Sequence, residues 1–111
     1  MAEAHESLTF LNALAGLATR LAVDGIEIHS VTYQSQSFGR WELESGRRRV
    51  RVRVTWEGKD RHLRVCTAQL ASGSTERQWQ LAEEHDFRGR RPDLVQLFGT
   101  VHAAITAHAG A

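Results

Sequence analysis

Between Ser7 and Val23, large apolar residues recur at helical spacing. Phe10, Leu14, Leu17 and Leu21 form one stripe, flanked by Leu11, Ala15, Ala18 and Ala22. The pattern predicts an amphipathic helix with Ser7 as its N-cap. Gly25, after Asp24, suits the left-handed conformation that ends a helix. The period then drops to two. Ile26-Glu27-Ile28-His29 and Val31-Thr32-Tyr33 alternate out of phase across Ser30. Either a bulge sits there or the strand turns apolar groups to both faces.

Three further strands follow, about Phe38 to Glu44, Arg48 to Glu57 and Arg61 to Leu70, the first preceded by a turn at Ser35-Gln36-Ser37. In the middle one, Val50, Val52, Val54 and Trp56 face one way, and Arg49, Arg51, Arg53 and Thr55 the other. A two-residue loop at Ser45-Gly46 would pair Trp41 with Val50. A loop at Gly58-Lys59, with Gly58 at the glycine position of a type II′ turn, would pair Val54 with Leu63 and Val52 with Val65. Both hairpins gather the large apolar groups on one face, and a one-residue slip would undo this.

Thr75 to His85 reads two ways. Its helix formers and a Thr75–Gln78 capping box suggest a short helix. The alternation of Trp79 with Leu81, after a hairpin-like Ser72-Gly73-Ser74, suggests a fifth strand. Phe87 to Arg91 reads as a basic linker. Pro92 then fits the first position of a last helix striped by Leu94, Phe98, Val101 and Ile105, ending near His108 to Gly110. The expected fold is α+β: an antiparallel sheet of four or five strands in meander order, with an N-terminal and a C-terminal helix packed on one face. The 111 residues fit a single domain with no second one, its ends at 1–6 and 109–111 frayed.

The same register sets the opposite face. Arg40 falls beside Arg51, Arg53 opposite Arg64, Glu42 opposite Arg49 and His62 opposite Thr55. Like charges placed directly opposite are destabilising. A short loop after Tyr33 would add Val31, Tyr33 and Phe38 to this face, with rings beside guanidinium groups. Of the 14 basic residues only Lys59 is lysine, and five arginines fall within Arg47 to Arg53. GC-rich coding favours arginine over lysine but does not explain the clustering.

Candidate chemistry narrows the picture mainly by exclusion. Cys66 is the only cysteine, which rules out an intrachain disulfide and a disulfide-stapled secreted domain. The opening residues lack the basic and apolar regions of a signal peptide. No apolar run approaches the ~20 residues needed to span a bilayer, so a cytoplasmic location without membrane contact is expected. The six histidines show no zinc spacing, and His62 and Cys66, four apart in a strand, stand too far apart to share a metal. No phosphate-cradling glycine loop or nucleophile elbow is present, and no cofactor or metal is expected. Arg88, Arg90 and Arg91 before the last helix suit an anion or a solvated linker. Glu83, Glu84, His85 and Asp86 form an acidic cluster that suits acid–base work or, more simply, a solvated face. Cys66, opposite Arg51, is a half-buried structural thiol or a nucleophile activated by neighbouring guanidinium groups. Trp41, Trp56 and Trp79 read as core or core-edge residues.

No motif assigns a reaction, and catalytic use of His62 or Cys66 ranks last. The arginine face is open to three readings: a solvated exterior, a protein or self-association surface, or a single-stranded RNA or DNA surface. The net charge of +1 weakens the last, because acidic groups reduce long-range attraction. The expected function is a non-enzymatic interaction module, a homodimer or a protein adaptor, acting through Arg40, Arg51, Arg53 and Arg64 with Tyr33 and Phe38.

Overall fold

The computed structural model describes residues 2–34, 39–70, 78–89 and 92–109, with side chains from Thr9 onward. Helix α1 (Ala2–Val23) leads into strands β1 (Glu27–Gln34), β2 (Arg40–Arg47), β3 (Val50–Glu57), β4 (His62–Gln69) and β5 (Gln80–Asp86), and helix α2 (Leu94–Ala109) closes the chain. The strands form one sheet in the order β1-β2-β3-β4-β5, all neighbours antiparallel, which is the expected meander. The ambiguous segment 75–85 is therefore a strand from Gln80 on; residues 75–77 lie outside the described residues. Both helices cover one face, the inner face, with α1 beside β1 and α2 across β2 and β3.

Each helix end has a local cause. The stop of α1 is a Schellman motif: the Gly25 amide donates to Ala22 O and the Ile26 amide to Leu21 O, both at 3.0 Å. Gly25 takes φ 73°, which costs glycine nothing, and buried Ile26 packs beside buried Leu21. At the other end the helix starts at Ala2, so Ser7 lies inside it and is not its cap. Helix α2 begins two residues after Pro92. Asp93 caps it, its Oδ1 accepting from the Gln96 amide at 2.8 Å, so Pro92 is not its first residue.

The inner face is the core. Leu43, Val52, Val54, Leu63 and Val65 are fully buried beneath Leu17, Leu21, Val101 and Ile105. Each such side chain contributes roughly 1.5–3 kcal/mol relative to an exposed one. An aromatic cluster closes one end: Trp41 stacks on Phe98 with centroids 5.3 Å apart, and Phe10 stacks on Tyr33 at 4.6 Å. Tyr33 and Val31 thus pack against the core and do not join the arginine face. The reason is a bulge between Ile28 and Ser30, which resets the phase so that Ile28, Val31 and Tyr33 all turn inward. Phe38, and the turn at Ser35-Gln36-Ser37, lie outside the described residues.

Both expected hairpin turns are displaced. Trp41 pairs with Trp56, not Val50, and the β2–β3 turn is Arg48-Arg49, with Arg48 at φ 58°. Val54 pairs with Val65, not Leu63, and the β3–β4 turn spans 58–61, with Arg61 rather than Gly58 at positive φ. Gly46 serves a different purpose from a turn glycine. A Cβ there would sit 2.4 Å from Val50 O and 2.8 Å from Arg51 Cδ, so its hydrogen lets the Arg51 side chain lie across β2. The Arg51 guanidinium then donates to Arg48 O at 2.8 Å and Val50 O at 3.0 Å, bracing the strained turn. Both slips are even, by six and by two residues, so the inner face keeps its composition while every cross-strand partner changes.

Candidate interaction face of the sheet

Among the described residues no helix covers the outer face, where the displaced register decides the chemistry. The expected opposition of Arg53 to Arg64 and of Arg40 to Arg51 does not occur. Arg40 meets Glu57, its Nε donating to Glu57 Oε1 at 2.9 Å. Its Nη2 also lies 3.7 Å from Glu42 Oε2. Arg53 is opposite Glu44 on one side and Cys66 on the other. Arg64 is opposite Thr55 and Glu84, with its Nε 3.7 Å from Glu84 Oε1. Glu42 pairs with Thr55, not Arg49, and His62 with Glu57, not Thr55. What the sequence presents as an arginine cluster is folded into alternating arginines and glutamates, so the face carries both signs in register.

Arg53 occupies the centre. Its Nε is buried without a hydrogen bond and lies 3.6 Å from Glu42 Oε1. Its guanidinium carbon sits 4.1 Å from the ring centroid of Trp79, a cation–π stack. Trp79 therefore belongs to the outer face and not to the core. Trp41 is a core residue, and Trp56 packs half-buried against Phe87. Beside Trp79, Leu81 is 55% exposed and stands opposite Cys66. Cys66 is half-buried and faces Arg53 rather than Arg51. Tyr33 is absent from this face, so of the six residues expected to act together the structure brings Arg40, Arg51, Arg53 and Arg64 onto it.

The signal for Trp79 was its alternation with Leu81, which places both on one face without saying which. That choice is made by a second bulge, where Leu81 pairs with Cys66 but Glu83 pairs with Val65. The extra residue, Ala82, switches the phase, so Trp79 and Leu81 face outward while Glu83 and His85 face inward. The acidic cluster is split in consequence. Glu84 and Asp86 line an open recess of about 620 Å³ with Asp60, His62 and Arg88. Arg88 is committed to Asp86, with Nε at 2.9 Å and Nη2 at 2.8 Å from Oδ2. The hydrogen bonds from Arg88 hold the Asp86 carboxyl below its ordinary range. Arg90 and Arg91 lie outside the described residues.

Inward-facing Glu83 forms an arrangement that sequence spacing gives no sign of. Its Oε2 accepts from His108 Nε2 at 2.6 Å and its Oε1 from His85 Nε2 at 3.0 Å, tying the last turn of α2 to the edge strand. Partial burial pushes this carboxyl up, but the two imidazole hydrogen bonds outweigh burial and hold it below its ordinary value. The imidazoles bind different oxygens of one carboxylate, and among the described residues no group of His, Cys, Asp or Glu side chains could hold a metal ion. Among those residues no helix is long and apolar enough to cross a membrane. No protein family, curated protein or solved structure matches the chain.

Proposed function

We propose that this chain is a protein-binding module that docks a protein partner on the outer face of its sheet. The observation that carries the reading is the Arg53–Trp79 stack beside exposed Leu81, on a face that no helix covers among the described residues. Tryptophan and arginine anchor protein interfaces because each offers a large, rigid contact area with a directional polar group. Here the stack orients both before any partner arrives, which lowers the ordering cost of association. The arginine–glutamate rows around it supply a two-signed pattern, which selects a partner with the complementary pattern and rejects others.

The same pairing weighs against single-stranded RNA or DNA as the occupant. A phosphate chain would have to displace glutamates from Arg40 and Arg64, and Tyr33, a candidate base-stacking ring, points into the core. The experiment places a photo-crosslinking amino acid at position 81 and, as a control, at Val95, which is 81% exposed on α2. A protein adduct formed in cells from position 81, absent from position 95 and lost on Arg53→Glu, is the expected result. Identical adducts from both positions would sink the reading. Labelled single-stranded RNA that binds at low salt, weakens steeply with salt and is lost on Arg53→Glu would replace it with nucleic acid.

A further inference from the structure

Three arginines of the outer face lie against carboxylates: Arg40 against Glu57, Arg53 against Glu42 and Arg64 against Glu84. The β2–β3 turn is built differently. Arg48 and Arg49 occupy its two free positions, both exposed, and Arg51 folds back on it over Gly46. Three guanidinium groups thus belong to one turn. Among the described residues none of them forms an ion pair with a carboxylate. The strand pairing brings one carboxylate, Glu27, to the row of Gly46 and Arg51.

The backbone of the turn has the same preference. Arg48 O accepts from the Arg51 guanidinium and Arg49 O from the Leu70 amide, both at 2.8 Å. The carbonyls, which are the negative ends of the turn's peptide dipoles, are therefore capped by donors. The Arg48 and Arg49 amides have no backbone acceptor among the described residues. A turn whose acceptors are occupied and whose donors stay open favours an anion. Folding alone would place Gly, Asn or Asp at a positive-φ position of a hairpin turn. Arg48 sits there at φ 58°, and strain of this kind concentrates at functional sites.

We propose that the β2–β3 turn binds a phosphate group, carried by the protein partner docked on the adjoining outer face. Naming the partner in this way rests on the docking proposed above. Guanidinium forks and turn amides supply several charge-assisted donors, which suit the three oxygens of a phosphate monoester better than the two of a carboxylate. Both turn residues are exposed, so the phosphate belongs to a surface laid against the turn and not to a small molecule enclosed in a pocket. Arg51 precedes Arg53 by two residues on the same side of β3, which makes the turn continuous with the Arg53–Trp79 stack. Recognition of a phosphorylated segment by an arginine cluster is a recurring way of selecting a protein partner.

Titration of the isotope-labelled chain with O-phosphoserine in phosphate-free buffer, followed by NMR, tests the site. The amide signals of Arg48 and Arg49 should shift first, glutamate at the same concentration should shift them less, and added salt should weaken the effect. Arg48→Gly should weaken binding by about 10-fold. The same change should leave the unfolding midpoint unchanged or raised, because glycine accepts the positive φ, which separates lost binding from misfolding. Glu27→Gln should tighten binding. No shift at the turn, equal shifts at every exposed arginine, or equal affinity for glutamate overturns the site. The partner is tested by the adduct formed in cells from position 81. It should carry phosphate by mass spectrometry and be lost on Arg48→Gln combined with Arg49→Gln. An adduct without phosphate, or one that survives those substitutions, overturns the partner assignment and leaves the outer-face docking standing. No adduct from position 81 removes the docking and the assignment together, and the titration alone then decides the turn. A labelled oligonucleotide held more tightly than phosphoserine, and lost on Arg48→Gly, replaces the partner's phosphate with a nucleic acid.

Discussion

The two faces of the sheet are made from alternate residues of the same strands, yet they obey different rules. The inner face is held by burial, which is non-directional: any register that keeps Val52, Val54, Leu63 and Val65 under the helices retains most of its free energy. The outer face is held by pairs, which exist only in one register. A slip of two or six residues leaves the first face intact and rewrites the second. Residue identity therefore predicts the core well, whereas the charge pattern of the exposed face depends on where the turns fall.

Substitutions can sharpen or break this contrast. The largest effect is expected from Leu63→Ala, which opens a cavity in the fully buried inner face. It should cost about 2–5 kcal/mol in urea unfolding, while its outer neighbour Arg64→Ala should cost about 1 kcal/mol or less. Equal losses at the two positions would refute the division between faces. Next comes Gly46→Ala, whose methyl would collide with Val50 O and the Arg51 side chain. A loss of ~1–3 kcal/mol is expected from this overpacking, against a gain of up to ~1 kcal/mol for Gly16→Ala, where helical Gly16 has open space. If Gly46→Ala were neutral, the Arg48-Arg49 turn would be in doubt.

Smaller effects probe the pairs themselves. A double-mutant cycle on Arg40 and Glu57 should give a coupling of roughly 0.5 kcal/mol that shrinks with added salt. Zero coupling at low salt would mean that these groups do not meet in solution. The last effect is one of pH, at the polar margin of the inner face. Glu83 is held below its ordinary value near 4.5, so the unfolded chain takes up its proton first as pH falls. Its stabilisation is present above that value and is lost as pH drops through the folded one. Unfolding midpoints of wild type and Glu83→Gln should therefore differ near neutral pH and converge in acid; a gap that persists at low pH would show that the His85 and His108 bonds do not depend on the carboxylate charge.

Periodicity alone gave the two helices, the first four strands and the apolar face of β2 to β4, because side-chain alternation is a property of each strand by itself; it left β5 open between helix and strand. The turns misled for identifiable reasons. Ser45-Gly46 has turn chemistry, but glycine is needed there for close approach, while the bend falls on Arg48, a residue with no intrinsic preference for positive φ. The bulges beside His29 and at Ala82 were harder still. The first could be suspected from the broken phase of β1; the second, which sends Trp79 outward and Glu83 inward, leaves no mark in the sequence.

Local period and the need to bury apolar area therefore set the fold class, the buried residues of the two helices and of β2 to β4, and the assignment of Arg40, Arg51, Arg53 and Arg64 to one shared outer face. Tertiary packing set the partnerships. It turned opposed arginines into arginine–glutamate rows, took Tyr33 from the outer face into the core, set Trp79 over Arg53, and brought His108 from the end of α2 to Glu83. Burial is a sum over many weak contacts and tolerates an even shift, whereas a stack or an ion pair depends on the few ångströms that one turn or one bulge controls.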